Sequence, residues 1–227
     1  MKGMYQKLYL PHRRARLMDK SYYSLPKWLN HADSRIIFVD LGASLYASGP
    51  GGENGASLRW FWDTYSQLSG RNRPFDRILA WEAREYRPKE LWATFPSDII
   101  PSISYFNVPA DAAPDAKMNP WRILEAVVRP EDFVVVKLDI DNQKTELALV
   151  HQLIDSPKVA NLVDEFFWEH HVAGSAVACP TLWQGRMGTG WSTMRFDHSL
   201  NSEEALRASY GLFTTLRQMG IRAHSWV

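Results

Sequence analysis

The residues in this chain with the most chemistry to offer are carboxylates, amides and imidazoles that close short apolar runs. Asp40 follows Ile36-Ile-Phe-Val39, and Glu82 follows Arg77-Ile-Leu-Ala-Trp81. Asp139 closes Asp132-Phe-Val-Val-Val-Lys-Leu-Asp139, and Glu169-His170-His171 close the run that begins at Val163. Asn107 sits at the end of a fifth run, Ile103 to Val108. Carboxylates take ligand hydroxyls and hard cations, amides read ligand edges, and imidazole exchanges a proton near neutral pH. One polar residue behind an apolar run means little, whereas one behind every run marks a site.

The runs themselves read as strands. Ile36 to Val39 is rich in β-branched residues, too short for a helix, and suited to a strand buried on both faces. Gly42 and the loop Gly49-Pro-Gly-Gly-Glu-Asn-Gly55 come next, and then residues 56–68 form an amphipathic helix. An ordinary βα turn has these parts; so does the start of a nucleotide site, where glycine admits a ligand to the backbone and the helix start offers free N–H groups. Further helices are expected near Glu90–Ala93 after Pro88, over Pro120–Val127, over Thr145–Ile154, and from Ser202 to about Met219, with Gly220 as a stop signal. A last strand spans Ile221–Val227. Strands alternating with helices predict an α/β fold: a doubly wound, mostly parallel, Rossmann-like sheet that binds its ligand at the carboxyl ends of the strands.

Length and composition narrow the function. A chain of 227 residues with 45% hydrophobic residues suits one α/β domain, residues 35–227, behind an N-terminal arm or helix, residues 1–34. That arm carries Arg13, Arg14 and Arg16 and the pair Tyr22-Tyr23. A net charge of +1 gives no bulk attraction to nucleic acid or membrane. Cys179 is the single cysteine, which excludes an intrachain disulfide and a cysteine-based zinc site. No apolar run reaches the roughly 20 residues of a membrane span, so a soluble protein is expected, cytoplasmic by default. The ten tryptophans exceed what a core needs and suit a cleft lining.

Known nucleotide fingerprints fit poorly. Ser44 stands where a dinucleotide motif needs its second glycine, Glu82 lies too far downstream for its ribose acid, and there is no P-loop. Phe38-Val-Asp-Leu-Gly-Ala-Ser44, Ala80-Trp-Glu-Ala83, Asn107, Val136-Lys-Leu-Asp-Ile-Asp-Asn142 with Glu146 downstream, and the 163–171 stretch resemble class I S-adenosylmethionine (SAM)-dependent methyltransferases. FkbM-type methyltransferases are the nearest in pattern. Ile140-Asp141-Asn142 stands where those proteins usually show Val/Ile-Glu-Gly. The resemblance implies that Asp40, Gly42, Ala43 and Ser44 hold the methionine end of SAM, and that Glu82 takes the ribose hydroxyls. It implies further that Trp81 and Ala83 flank the adenine, and that Asn107 and Asp111 reach its edge. Trp81 reads equally well as core packing.

Methyl transfer to a hydroxyl needs alignment of two reactants and removal of a proton. Asp139, Asp141 and His170 are the catalytic candidates, because ends of adjacent strands bring them together. Asp139, Glu169 and His170 would equally ligate Mg²⁺ or Mn²⁺. The long segment 173–200, with Trp183, Trp191, Arg186 and Arg195, suits stacking on a sugar or another ring. The expected activity is therefore O-methylation of a glycan or small-molecule hydroxyl. A carbohydrate- or protein-binding module without chemistry is the competing expectation.

Overall fold

The computed structural model describes residues 34–48, 57–170 and 202–226. The arm at residues 1–33, the glycine-rich stretch 49–56, His171 and the segment 173–200 with Trp183, Arg186, Trp191 and Arg195 lie outside the described residues. Six strands form one sheet: β1 (Ile36–Leu41), β2 (Arg77–Trp81), β3 (Ile103–Phe106), β4 (Phe133–Leu138), β5 (Glu165–Trp168) and β6 (Arg222–Ser225). Every pairing is parallel and the order is β3-β2-β1-β4-β5-β6. The helices are α1 (Ser57–Ser69), α2 (Pro88–Ala93), α3 (Pro120–Val127), α4 (Gln143–Asp155), α5 (Pro157–Ala160) and α6 (Ser202–Gln218).

Strand alternation divides the core in two. Ile36 and Phe38 of β1 pack with Phe61 and Tyr65 of α1 and Leu91 of α2 on one face. Ile37, Val39 and Leu41 pack on the other face with Trp121 of α3, Leu149 of α4 and Phe213 of α6. This is an α/β sheet covered on both sides, which is why β1 and β4 are buried at every position. The chain order reverses at the β1–β4 pair, the place where open α/β sheets bind their ligands at the carboxyl ends of the strands.

Local sequence explains the helix starts on this side of the sheet. Asn119 accepts the N–H groups of Trp121 and Arg122, with Pro120 behind it, so α3 begins at residue 120. Asn142 accepts the Thr145 N–H at 3.1 Å and starts α4 directly after the tip of β4. At the opposite end of the sheet, Arg35 and Asp132 form a hydrogen-bonded ion pair that sets the start of β1 beside that of β4. Among the described residues, no helix is long and apolar enough to cross a membrane.

Candidate functional site

Register puts the strand tips in a row. Leu41 pairs with Trp81 on one side and with Leu138 on the other; Trp81 pairs with Phe106, and Leu138 with Trp168. The next residue of each strand therefore lines up across the sheet edge: Asn107, Glu82, Gly42, Asp139 and Glu169. Backbone hydrogen bonds continue into this row, from Gly42 N–H to Trp81 O, Glu82 N–H to Phe106 O, Asp139 N–H to Leu41 O and Glu169 N–H to Leu138 O, at 3.0–3.1 Å.

Gly42 is required where it stands. Its φ is +87°, and a Cβ there would lie 1.7 Å from the carbonyl oxygen of Asp139. The tips of β1 and β4 thus approach here to backbone contact, with no room for a side chain. Ala43 is buried and donates its N–H to Trp81 O at 2.9 Å. Ser44 also has a positive φ, of 50°.

Asp40 does not stand at the tip, as the apolar run ending at Val39 leads one to expect. β1 runs two residues further, and Asp40 is a fully buried strand residue paired with Ala80 and Lys137. Ser57, the first residue of α1, donates to its carboxylate, with 3.1 and 3.2 Å to the two oxygens. Lys137 Nζ lies 3.3 Å from Asp40 Oδ1, 3.2 Å from Asp139 Oδ2 and 2.7 Å from the carbonyl oxygen of Gly42. Burial pushes the Asp40 carboxyl up from its usual value, against the pull of Lys137. Burial alone would lower Lys137, but Asp139 and Asp40 outweigh it and the net shift is upward, so it remains an ammonium.

Glu82 organises the loops beyond β1 and β2. Its carboxylate accepts the Ser44 N–H at 2.8 Å on one oxygen and the Arg84 N–H at 2.6 Å on the other. Tyr105 donates its hydroxyl to Ser44 O at 2.6 Å. Asn107 spends its amide on the same loop, accepting Tyr86 N–H and donating to Glu82 O and Arg84 O. Trp81 is buried against Phe106, with ring centroids 4.6 Å apart, and its indole N–H has no acceptor among the described residues. Ala83 is exposed. Asp111, also exposed, accepts the Ala113 N–H and borders a cavity of about 380 Å³ past the tip of β3, shared with Val108, Pro109, Lys117, Met118 and Thr145.

On the other side of Gly42, the oxygens of Asp139, Asp141 and Glu169 lie within 4.8 Å of one another. Glu146, buried in the first turn of α4, holds this side together: it accepts the Ile140 N–H and the Trp168 indole N–H, each at 3.0 Å. Asp141 adopts a φ of 56° in the turn so formed. His170 is not in this trio. Its ring stacks on Trp168 with centroids 3.8 Å apart, and its Nδ1 meets Ser209 Oγ of α6 at 2.9 Å.

The structure thus gathers Gly42, Ala43, Ser44 and Glu82 on one side and Asp139, Asp141 and Glu169 on the other, and sets Asp40 beneath them and His170 aside. Sequence reading missed Ser57, Tyr105 and Ser209 as partners, since a serine or tyrosine in an amphipathic helix or strand carries no mark of what it will meet. Lys137 did carry one: a lysine inside Phe-Val-Val-Val-Lys-Leu must be buried, and a buried lysine requires counter-charges. Comparison with protein-family models, with curated proteins and with solved structures finds no match to this chain.

Proposed function

We propose that this chain is a SAM-dependent O-methyltransferase on a doubly wound, Rossmann-like domain, acting on a hydroxyl of a glycan or small molecule. Glu82 carries the reading. A carboxylate has about four acceptor positions, and the Ser44 and Arg84 N–H groups take one on each oxygen. One further position on each oxygen suits the paired hydroxyls of a ribose, and the two N–H groups fix the carboxylate before any ligand arrives. The cavity beside Asp111 has the size and mixed lining that a nucleobase needs, and the unpartnered indole N–H of Trp81 is a buried donor of the kind a ligand satisfies.

SAM, when bound, supplies an electrophilic methyl group. Gly42, Ala43 and Ser44 would line its methionine end, and Glu82 its ribose. Asp139, the member of the acidic trio that shares Lys137 with the Gly42 carbonyl, would take the acceptor's hydroxyl proton. Asp139, Asp141 and Glu169 are hard oxygen donors that fit Mg²⁺ or Mn²⁺, and such an ion would lower the pKa of that hydroxyl. The test is calorimetry with S-adenosylhomocysteine. Micromolar binding that Glu82→Ala weakens supports the reading. No heat at millimolar ligand overturns it, and glycan binding without S-adenosylhomocysteine binding would favour the binding-module alternative.

A further inference from the structure

Lys137 sits in a strand that stability alone would fill with another valine. Burying an ammonium costs several kcal/mol, and replacing a buried ion pair with apolar residues is often neutral or stabilising. Yet Lys137 and Asp40 are both buried, opposite each other in register on β4 and β1. A buried ammonium must satisfy all three of its N–H bonds, and what distinguishes Lys137 is where its acceptors lie. It has three close acceptors for its three N–H bonds: Gly42 O at 2.7 Å, Asp139 Oδ2 at 3.2 Å and Asp40 Oδ1 at 3.3 Å, with Leu41 O at 3.5 Å as a longer fourth contact. As an ammonium it has no lone pair to act as a base, and its contacts span the two halves of the site.

We propose that Lys137 is a positioning residue, whose ammonium ties the Gly42 carbonyl of the SAM side to the Asp139 carboxylate of the acceptor side and so sets where that carboxylate stands relative to the transferred methyl. The inference rests on the function proposed above. Physical need for such a tie is clear from the acidic trio. Asp139 lies with Asp141 and Glu169, like charges that push it toward solvent, and it is partly exposed. Lys137 pulls one of its oxygens back toward β1. Asp40, itself held by Ser57 at the start of α1, fixes the lysine from beneath.

The test compares S-adenosylhomocysteine with sinefungin, which carries an amine where SAM carries its methyl. A carboxylate aimed at the methyl position favours sinefungin, and the ratio of the two dissociation constants reads that aim without any acceptor. The variant is Lys137→Met with Asp40→Asn, which removes one charge of each sign, leaves the net charge unchanged and avoids a stranded buried carboxylate. In the wild type, sinefungin is expected to bind about tenfold tighter; in the double variant, folded as judged by its thermal midpoint, the preference falls below about threefold, a ratio from which any weakening common to both ligands cancels. Rebuilding the ammonium restores the preference: Lys137→Cys in a Cys179→Ser background, alkylated with 2-bromoethylamine while unfolded and then refolded. A folded double variant that keeps the wild-type preference overturns the inference alone, as does a wild type that binds both ligands equally. A wild type that binds neither overturns the proposed function and this inference together.

Discussion

The indole N–H of Trp168 donates to Glu146 Oε2 at 3.0 Å, and this contact joins the end of β5 to the first turn of α4. The other oxygen of Glu146 takes the N–H of Ile140, so one carboxylate shapes the turn that carries Asp141 and the strand end that carries Glu169. Replacing Glu146 with leucine leaves two donors without their acceptor. A loss of about 3 kcal/mol is expected, read as a lower urea midpoint, whereas Glu146→Gln, which keeps one acceptor oxygen, costs about 1 kcal/mol. Equal stability of the leucine variant and the wild type would show that Glu146 holds nothing.

Gly42→Ala is expected to cost about 3 kcal/mol or more, lowering the thermal midpoint by about 10 °C, because the new methyl would meet the carbonyl oxygen of Asp139 and the backbone φ is +87°. Differential scanning calorimetry measures it. A shift of a degree or two would mean that the tips of β1 and β4 leave room for a Cβ at residue 42.

Glu82 makes charge-assisted hydrogen bonds to Ser44 and Arg84, and by the proposal to a ribose. Glu82→Gln keeps one acceptor oxygen and is expected to weaken S-adenosylhomocysteine about tenfold; Glu82→Ala removes both and weakens it about a hundredfold. Isothermal calorimetry gives both values. Unchanged affinity in both variants would move the ribose elsewhere.

Glu165, away from the candidate site, is expected to make the protein sensitive to acid. Glu165 is buried, and although burial alone would raise its carboxyl, Arg222, His224 and Tyr65 outweigh that and hold it down at about 2, against an ordinary 4.5. A depressed carboxyl contributes its full stability above the unfolded value, and the contribution fades as protons bind the unfolded chain first. Stability is therefore expected to fall as pH drops from about 4.5 toward about 2. Glu165→Gln should be less stable at neutral pH and flatter across that window in urea titrations. A variant with the wild-type slope would place the acid-sensitive group elsewhere.

EDTA treatment is expected to leave S-adenosylhomocysteine affinity untouched, because Gly42, Ser44 and Glu82 share no residue with the Asp139, Asp141 and Glu169 trio. Methyl transfer lost in EDTA and restored by Mn²⁺ or Mg²⁺ would support a cation held by that trio. Full transfer in EDTA assigns the proton to Asp139 without a metal. Weakened S-adenosylhomocysteine binding in EDTA would contradict the separation of the two sides.

Periodicity made the sheet legible. The apolar run 132–139 contains β4 at Phe133–Leu138, the helix expected over 145–154 extends from Gln143 to Asp155, and the helix begun at Ser202 ends at Gln218. Adjacent parallel strands also bring the residues just past their ends side by side, so Asp139 beside Glu169 was foreseeable. What a one-dimensional pattern does not encode is which way a side chain turns once it arrives. His170 comes directly after Glu169 and turns instead to Ser209, a residue far along the chain. Asp40 looks like an end residue because it is charged, but Lys137 across the ladder makes it an interior one. The short helix Pro157–Ala160 carries no periodic mark, because four residues are too few to show a period.

The order of the strands also has a consequence for synthesis. The pairing of β1 with β4 joins segments about as far apart as Arg35 and Asp132, which are separated by 97 residues. As the chain leaves the ribosome from its N-terminus, β1 can pair with β2 long before β4 exists. Through that interval the future β4 edge of β1 is an apolar strand with unmet backbone groups, the kind of edge that recruits other chains. Asp40 lies on that edge and meets Lys137 only once β4 is made, so until then a charged residue interrupts the apolar edge, one of the devices by which edge strands are kept from pairing with other chains.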